Sequence, residues 1–281
     1  MYVFTSLFKK TLFYKGDCCT KMDLKVNKKV AFITGGGEGI GELVATMLAS
    51  EGADIAVADM DASKVEATAS KVKEIGSKSL WFPVDVTDQK QVSEAVQKTV
   101  SEFKRIDMLV HIPGRGERKP FIKSEKPDWD FSVNLNLYGP LFSAKAVLQQ
   151  MVEQKSGSMA FIVSDAGKIG ESNNPVYSAA KGGVIAFSKA IAKELGRYNI
   201  RANCVALSAM NTPGGLKFRE TMSELLGKEK AELEKRILAN YAIRRFGTPQ
   251  DAADALCFLV SERASWITGQ TLSVNGGYSM A

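Results

Sequence analysis

Seven short apolar runs, at 30–34, 54–58, 79–84, 108–111, 158–164, 201–206 and 271–274, alternate along the chain with longer amphipathic stretches at 39–50, 62–75, 90–103, 129–154, 176–195 and 250–261. The runs lack the polar–apolar alternation of a strand wetted on one face, so both of their faces need cover. Strands of that kind, separated by helix-length crossovers, pair in parallel. The expected class is α/β: a single-domain, doubly wound parallel sheet of about seven strands with helices on both faces. With 281 residues, 45% of them hydrophobic, the chain can bury such a core. Asp88 and Asp251 stand at or near helix starts, where a carboxylate satisfies free N–H groups. Residues 213–241 form a charged helical insertion between two strand runs and are read as a lid. Residues 1–21, apolar and basic, are read as a flexible extension ahead of a domain spanning 22–281.

Other classes are disfavoured. The formal charge of +6 is mild, and no Lys/Arg run interleaved with aromatics marks a nucleic-acid surface. No stretch reaches the roughly 18 apolar residues needed to cross a bilayer. Cys18, Cys19, Cys204 and Cys257 show no metal-ligand spacing, and two lie in apolar segments, so no metal and a cytoplasmic, reducing setting are expected.

The first apolar run leads through "TGGGEGIG", Thr34 to Gly41, into a helix. Glycines there let the backbone turn tightly and approach a pyrophosphate, with the helix N-terminus aimed at its charge. A glycine cluster alone is weak, but here the strand and helix contexts are both present. An acid, Asp59, closes the second run 18 residues past Gly41. Its carboxylate can accept from both adenosine-ribose hydroxyls and would repel a 2′-phosphate. Glu38 adds to that repulsion and no arginine stands nearby, so NAD is favoured over NADP. Asp61 is the alternative acid.

"YSAAKGG", 177–183, sets Tyr177 and Lys181 one helical turn apart. A free phenol titrates near ~10, too high for proton exchange at neutral pH, and a cation beside it would lower that value. Taken alone the pair could equally be two surface residues.

Together these motifs resemble the short-chain dehydrogenase/reductase family: Gly35-x-x-x-Gly39-x-Gly41, Asp85–Val86, Val133-Asn134-Leu135, Ser164 thirteen residues before Tyr177, and "ITGQTLSVNGG" near the end. The resemblance runs from about residue 24 to the C-terminus. It implies a Rossmann-type fold and hydride transfer between a nicotinamide and a secondary alcohol or ketone. Tyr177 would be the acid/base, Lys181 would tune it and hold the ribose, Ser164 would bind the substrate oxygen, and Asn134 would hold a water beside Lys181. Gly35, Glu38, Gly39, Ile40, Gly41, Asp59, Asp85, Val86, Gly114 and Thr212 would line the cofactor. Asn173, Asn174 and Met210 would flank the substrate.

Two departures stand out: "HIPG", 111–114, replaces the usual Asn-Asn-Ala-Gly, and Leu207–Ser208 replaces Pro-Gly. Pro113 removes an N–H and fixes φ. His111, the one histidine, is read as a structural hydrogen-bonder. "SDAGKIG" around Ser164 is similar to members that oxidise hydroxyacyl-CoA thioesters in alicyclic and aromatic acid degradation. Arg115, Lys217 and Arg219 are the candidate contacts for a CoA ester's phosphates. The resemblance also implies a homotetramer, or a hetero-oligomer with a related sister subunit. A catalytically degenerate subunit and an NADP-linked ketoacyl reductase are the competing readings.

Overall fold

The computed structural model describes residues 23–281 apart from 117 and 228; the expected 1–21 extension lies outside them. Seven parallel strands form one sheet: β1 (Val30–Thr34), β2 (Asp54–Asp59), β3 (Ser79–Pro83), β4 (Met108–His111), β5 (Gly157–Ser164), β6 (Ile200–Leu207) and β7 (Thr271–Val274). Their order is β3-β2-β1-β4-β5-β6-β7. The helices are α1 (Gly39–Ser50), α2 (Ala62–Ile75), α3 (Gln89–Phe103), α4 (Lys126–Val133), α5 (Gly139–Gln154), α6 (Ala166–Ile169), α7 (Pro175–Leu195), α8 (Pro213–Leu226), α9 (Lys230–Leu238) and α10 (Pro249–Val260).

Successive strand side chains point to opposite faces. Ile33, Val57, Val110, Ala160 and Val205 meet a core that includes α1, α2 and α10 residues. Their neighbours Phe32, Ala56, Leu109, Phe161 and Ala206 meet α3, α5 and α7 residues on the other side. That double cover is why the strand runs are continuously apolar. After β1 the order reverses and the chain crosses to β4. Ligands of such sheets bind at the carboxyl ends of the strands flanking this switch.

Local chemistry fixes the helix starts. Asp61 caps α2 by accepting from Ser63 N and Lys64 N, and Asp88 caps α3 through Lys90 N and Gln91 N. Thr248 and Asp251 form a reciprocal capping box on α10. The expected single helix over 129–154 is instead two helices joined by a π turn, Asn134–Tyr138. Pro140 has no N–H to give the Asn136 carbonyl, and Gly139 N reaches back five residues to Asn134 O. The insertion after β6 folds as α8 and α9, joined through Gly227 in the left-handed region (φ 57°).

Candidate active site

The glycine loop leaves β1 at Thr34. Gly35 and Gly39 hold φ of 71° and 58°, a region that disfavours side chains. A Cβ on Gly41 would lie 2.0 Å from Gly35 O, and one on Gly35 would meet the Pro113 ring at 3.0 Å. The proline of "HIPG" thus packs against the backbone of the loop, and both glycines are obligatory. Ile40 is buried beneath it. Pro213 Cδ would lie 3.5 Å from a Cβ on Gly39, which brings Thr212 beside the loop; the Thr212 hydroxyl caps α8 by accepting from Gly215 N at 3.1 Å.

At the end of β2, Asp59 accepts from Gly37 N at 3.1 Å and Asp61 N at 3.2 Å, so its carboxylate stands at the rim of the loop. Asp61 is committed to capping α2, which leaves Asp59 as the ribose candidate. Glu38 is paired with Lys64 Nζ at 2.8 Å. Lys64, absent from the sequence reading, brings a cation into the electrostatic neighbourhood of Glu38, Asp61 and Asp59 and weakens the argument against a 2′-phosphate. Asp85 binds Thr87 N and Oγ1 at 2.9 and 2.8 Å, fixing its own turn, and Val86 is buried against Gly139.

The reacting groups converge where β5 meets α7. The Ser164 hydroxyl lies close enough to the Tyr177 phenol to act on it and accepts from Ala166 N at 3.2 Å. Burial pushes the phenol up to about 12; the Ser164 hydrogen bond opposes this and Glu171 reinforces it. Lys181 is fully buried, its ammonium donates to Ile162 O at 3.0 Å, and it lies 5.9 Å from the Tyr177 ring centroid. Burial lowers Lys181 to about 8. Lys181 is not among the groups that move the phenol here. Desolvation dominates at both groups, and the ammonium is directed at a strand carbonyl.

Asn134 is also corrected. It is exposed, whereas Asn136 is fully buried. Asn136 Oδ1 accepts from Arg115 N at 3.0 Å, and its Nδ2 donates to Arg115 O and Ser132 O at 2.9 and 3.0 Å. A Cβ on Gly114 would lie 2.7 Å from Lys181 Nζ and 2.9 Å from Asn136 Oδ1, so Gly114 is where these two side chains meet. His111 is buried, and its Nδ1 lies 2.9 Å from Thr34 Oγ1 and 3.0 Å from Ser143 Oγ. Burial, then Lys181, holds it well below its ordinary value, so it is neutral and bonded within the core.

The substrate candidates separate. Asn174 is buried with its Oδ1 unpartnered, and a Cβ on Gly116 would lie 3.0 Å from Asn174 Nδ2 and 3.5 Å from the Tyr177 ring. Asn173, exposed at φ 61°, offers its carbonyl to Lys119 N. Arg115 lies over the Phe131 ring at 4.7 Å, Lys217 is exposed, and Met210 is buried against Gly247. Arg219 is not available to a substrate. It is 2% exposed, bonds Glu234, Met210 O and Asn211 Oδ1, and stacks 4.0 Å over Phe246. The Leu207–Ser208 departure also has a partner: the Ser208 hydroxyl bonds the Tyr241 hydroxyl, tying the end of the insertion to the end of β6.

A glycine cradle at the switch point, an acid at the end of β2 and a Ser–Tyr pair backed by a buried lysine are the features of a doubly wound, dinucleotide-dependent oxidoreductase. Comparison with known proteins agrees. A family model described as enoyl-(acyl carrier protein) reductase matches residues 35–279. The 3-oxoacyl-(acyl-carrier-protein) reductase FabG of Thermotoga maritima is 32% identical over 90% of this chain and 99% of its own. The hydroxy(phenyl)methylsuccinyl-CoA dehydrogenase subunit BbsD of Thauera aromatica is 35% identical over 91% and 98%. An NAD+-bound xylitol dehydrogenase structure superposes with a TM-score of 0.84 at 29% identity, covering 90% of this chain and all of that one. The chain belongs to the short-chain dehydrogenase/reductase family.

Proposed function

We propose that the protein is an NAD-dependent dehydrogenase moving hydride between the nicotinamide and a secondary alcohol or ketone carbon, with a hydroxyacyl-CoA thioester as the favoured substrate. The observation that carries this is the Ser164 hydroxyl acting on the Tyr177 phenol, set beside the buried Lys181 and the glycine cradle. The cradle fits a pyrophosphate because side chains are sterically excluded from it, and Asp59 fits a ribose diol. When bound, the dinucleotide supplies the hydride-exchanging ring and, in its oxidised form, a positive charge beside the phenol.

Ser164 orients the substrate oxygen and stabilises charge on it. Tyr177 takes the hydroxyl proton during oxidation and returns it to the carbonyl oxygen during reduction. Lys181 holds the ribose hydroxyls, and Asn136 anchors the turn behind it. Asn174 offers its unpartnered amide oxygen to the substrate, and α8–α9 covers the pocket as a lid. The similarity to BbsD supports the thioester, and the exposed Lys217 is a contact for its phosphates.

Absorbance at the reduced nicotinamide band, with 3-hydroxybutyryl-CoA, cyclohexanol and NAD or NADP, tests the reading. Turnover with NAD is expected, and none with any pairing would refute it. Tyr177→Phe is expected to abolish turnover while NADH fluorescence titration shows binding within about twofold of the parent. A second reading, an NADP-linked ketoacyl reductase, draws on Lys64 and on the FabG similarity; a strong kinetic preference for NADPH would establish it.

A further inference from the structure

We infer that Asp165 is a positioning residue that docks the C-terminal segment 275–281 against the catalytic strand end and so fixes one wall of the substrate pocket. The inference rests on the oxidoreductase reading of the site for what that pocket does.

Asp165 follows Ser164 directly, and its N–H donates to Leu207 O at 3.0 Å, the exit of β6. The residue is 1% exposed. Its carboxylate accepts from Asn275 Nδ2 at 3.1 and 2.9 Å and from Ser279 Oγ at 2.9 Å. No ion pair involves it among the described residues; Lys168, the nearest lysine in sequence, bonds Ser273 Oγ instead. Burial raises its carboxyl, and the Asn275 and Ser279 hydrogen bonds oppose that rise. A buried carboxylate without a salt bridge depends on such donors while it stays buried, so losing one of them weakens the docked segment.

The donors come from a knotted turn. Asn275 Oδ1 accepts from Gly277 N at 3.0 Å, and Asn275 Nδ2 also reaches Ser279 O at 2.9 Å. Gly276 and Gly277, at φ 60° and 76°, allow that turn. It brings Tyr278 against Tyr241, ring centroids 5.1 Å apart, and the Tyr241 hydroxyl accepts from Ala209 N at 3.0 Å. Burial raises the Tyr278 phenol, and among its titratable neighbours are Glu171, Tyr241, Arg118 and Asp165. Glu171 also acts on Tyr177 and pairs with Arg118 at 2.8 Å, and Arg118 lies 5.7 Å over Phe218 of α8. Tyr278 is thus packed on Tyr241, whose hydroxyl joins Ser208 and Ala209 at the exit of β6, and is held there through the residue next to Ser164.

The test compares Asp165→Ala, Asp165→Asn, Asn275→Ala and the Ala/Ala double variant of the full chain. Three readouts are kinetics with the fastest panel substrate, NADH fluorescence titration, and digestion by carboxypeptidase Y. Each single Ala variant is expected to raise KM about tenfold or more, with kcat within about threefold, as for the loss of a hydrogen bond to a charged group. NADH affinity stays unchanged, and the last residues are released about tenfold faster. Asp165→Asn, which keeps an acceptor, recovers most of the parent KM, and the double variant is no worse than the worse single one. Equal losses of NADH affinity and KM, additive single effects, or parental digestion rates would each overturn the inference. Digestion needs no turnover, so it decides the docking even if the oxidoreductase reading fails. Should Asp165→Ala not fold, Asn275→Ala and Ser279→Ala carry the same comparison.

Discussion

A lysine held in a dry strand–helix junction has a thermodynamic signature of its own. Lys181 titrates near 10.5 when unfolded and about 8 when folded, so between those values the unfolded chain binds more protons. Stability contributed by this residue therefore rises with pH across that window, by on the order of 3 kcal/mol if the shift is complete. Lys181→Met removes the dependence. The melting temperature of that variant relative to the parent should be highest below about 8 and fall as pH approaches 10.5, which thermal unfolding in a pH series will show. The motif of a phenol and a lysine one turn apart was legible in the sequence, but the sign of the shift was not, because burial outweighs a cation aimed at Ile162 O. The asparagine was missed for a related reason. The Val133-Asn134-Leu135 match fixes a neighbourhood but not a helix face, and two residues turn a helix by more than half a revolution. The buried positions Ser132, Asn136, Gly139 and Ser143 follow helical spacing and point to Asn136. Asn136→Ala is expected to cost at least tenfold in kcat/KM and Asn134→Ala less than about twofold, by steady-state kinetics.

The elements divide into a rigid cradle and a fastened insertion. Gly41 opens α1 where any Cβ meets Gly35 O, so Gly41→Ala must move the loop backbone. Overpacking of this kind costs about 1–3 kcal/mol, and NADH affinity is expected to fall at least about tenfold by fluorescence titration. The α8–α9 insertion was recognisable as helical from its charge pattern. Its attachment was not, because Arg219 reads in sequence as an accessible cation for a substrate's phosphates and proves to be the buried clamp of the hairpin. Removing it leaves Glu234 and Met210 O without their donor. Arg219→Ala is expected to destabilise the protein by about 3–5 kcal/mol in urea unfolding, and Arg219→Lys to recover only part, since an ammonium can neither fork nor stack in the same way. Strand boundaries fell within a residue or so of expectation wherever Gly, Asp or Pro punctuated them. The one misjudged helix begins earlier than expected, at Lys126, behind the Glu125–Asp128 capping box and Pro127, and hides a π turn before Pro140.

For the whole molecule, cofactor affinity converts directly into stability. A ligand that binds only the folded chain at a hundredfold its Kd adds about 2.7 kcal/mol. For a chain of this length that is a rise of roughly 5–10 °C in melting temperature. NADH is expected to produce it and NADPH a smaller one; equal shifts would show that Lys64 offsets the Asp59 carboxylate. The double-sided core also explains why architecture was the most legible level: apolar runs of strand length admit few other burials. Partner copies leave no comparable periodic mark within a single chain.

The segments 112–120, 165–174 and 208–241 and the C-terminal tail all leave the same edge of the sheet, while the cradle and the phenol are anchored in β1, β5 and α7. Descendants of such a chain can trade one rim for another without disturbing the groups that exchange hydride and proton. New substrates would then be reached by rewriting a few surface connections, and old ones lost the same way.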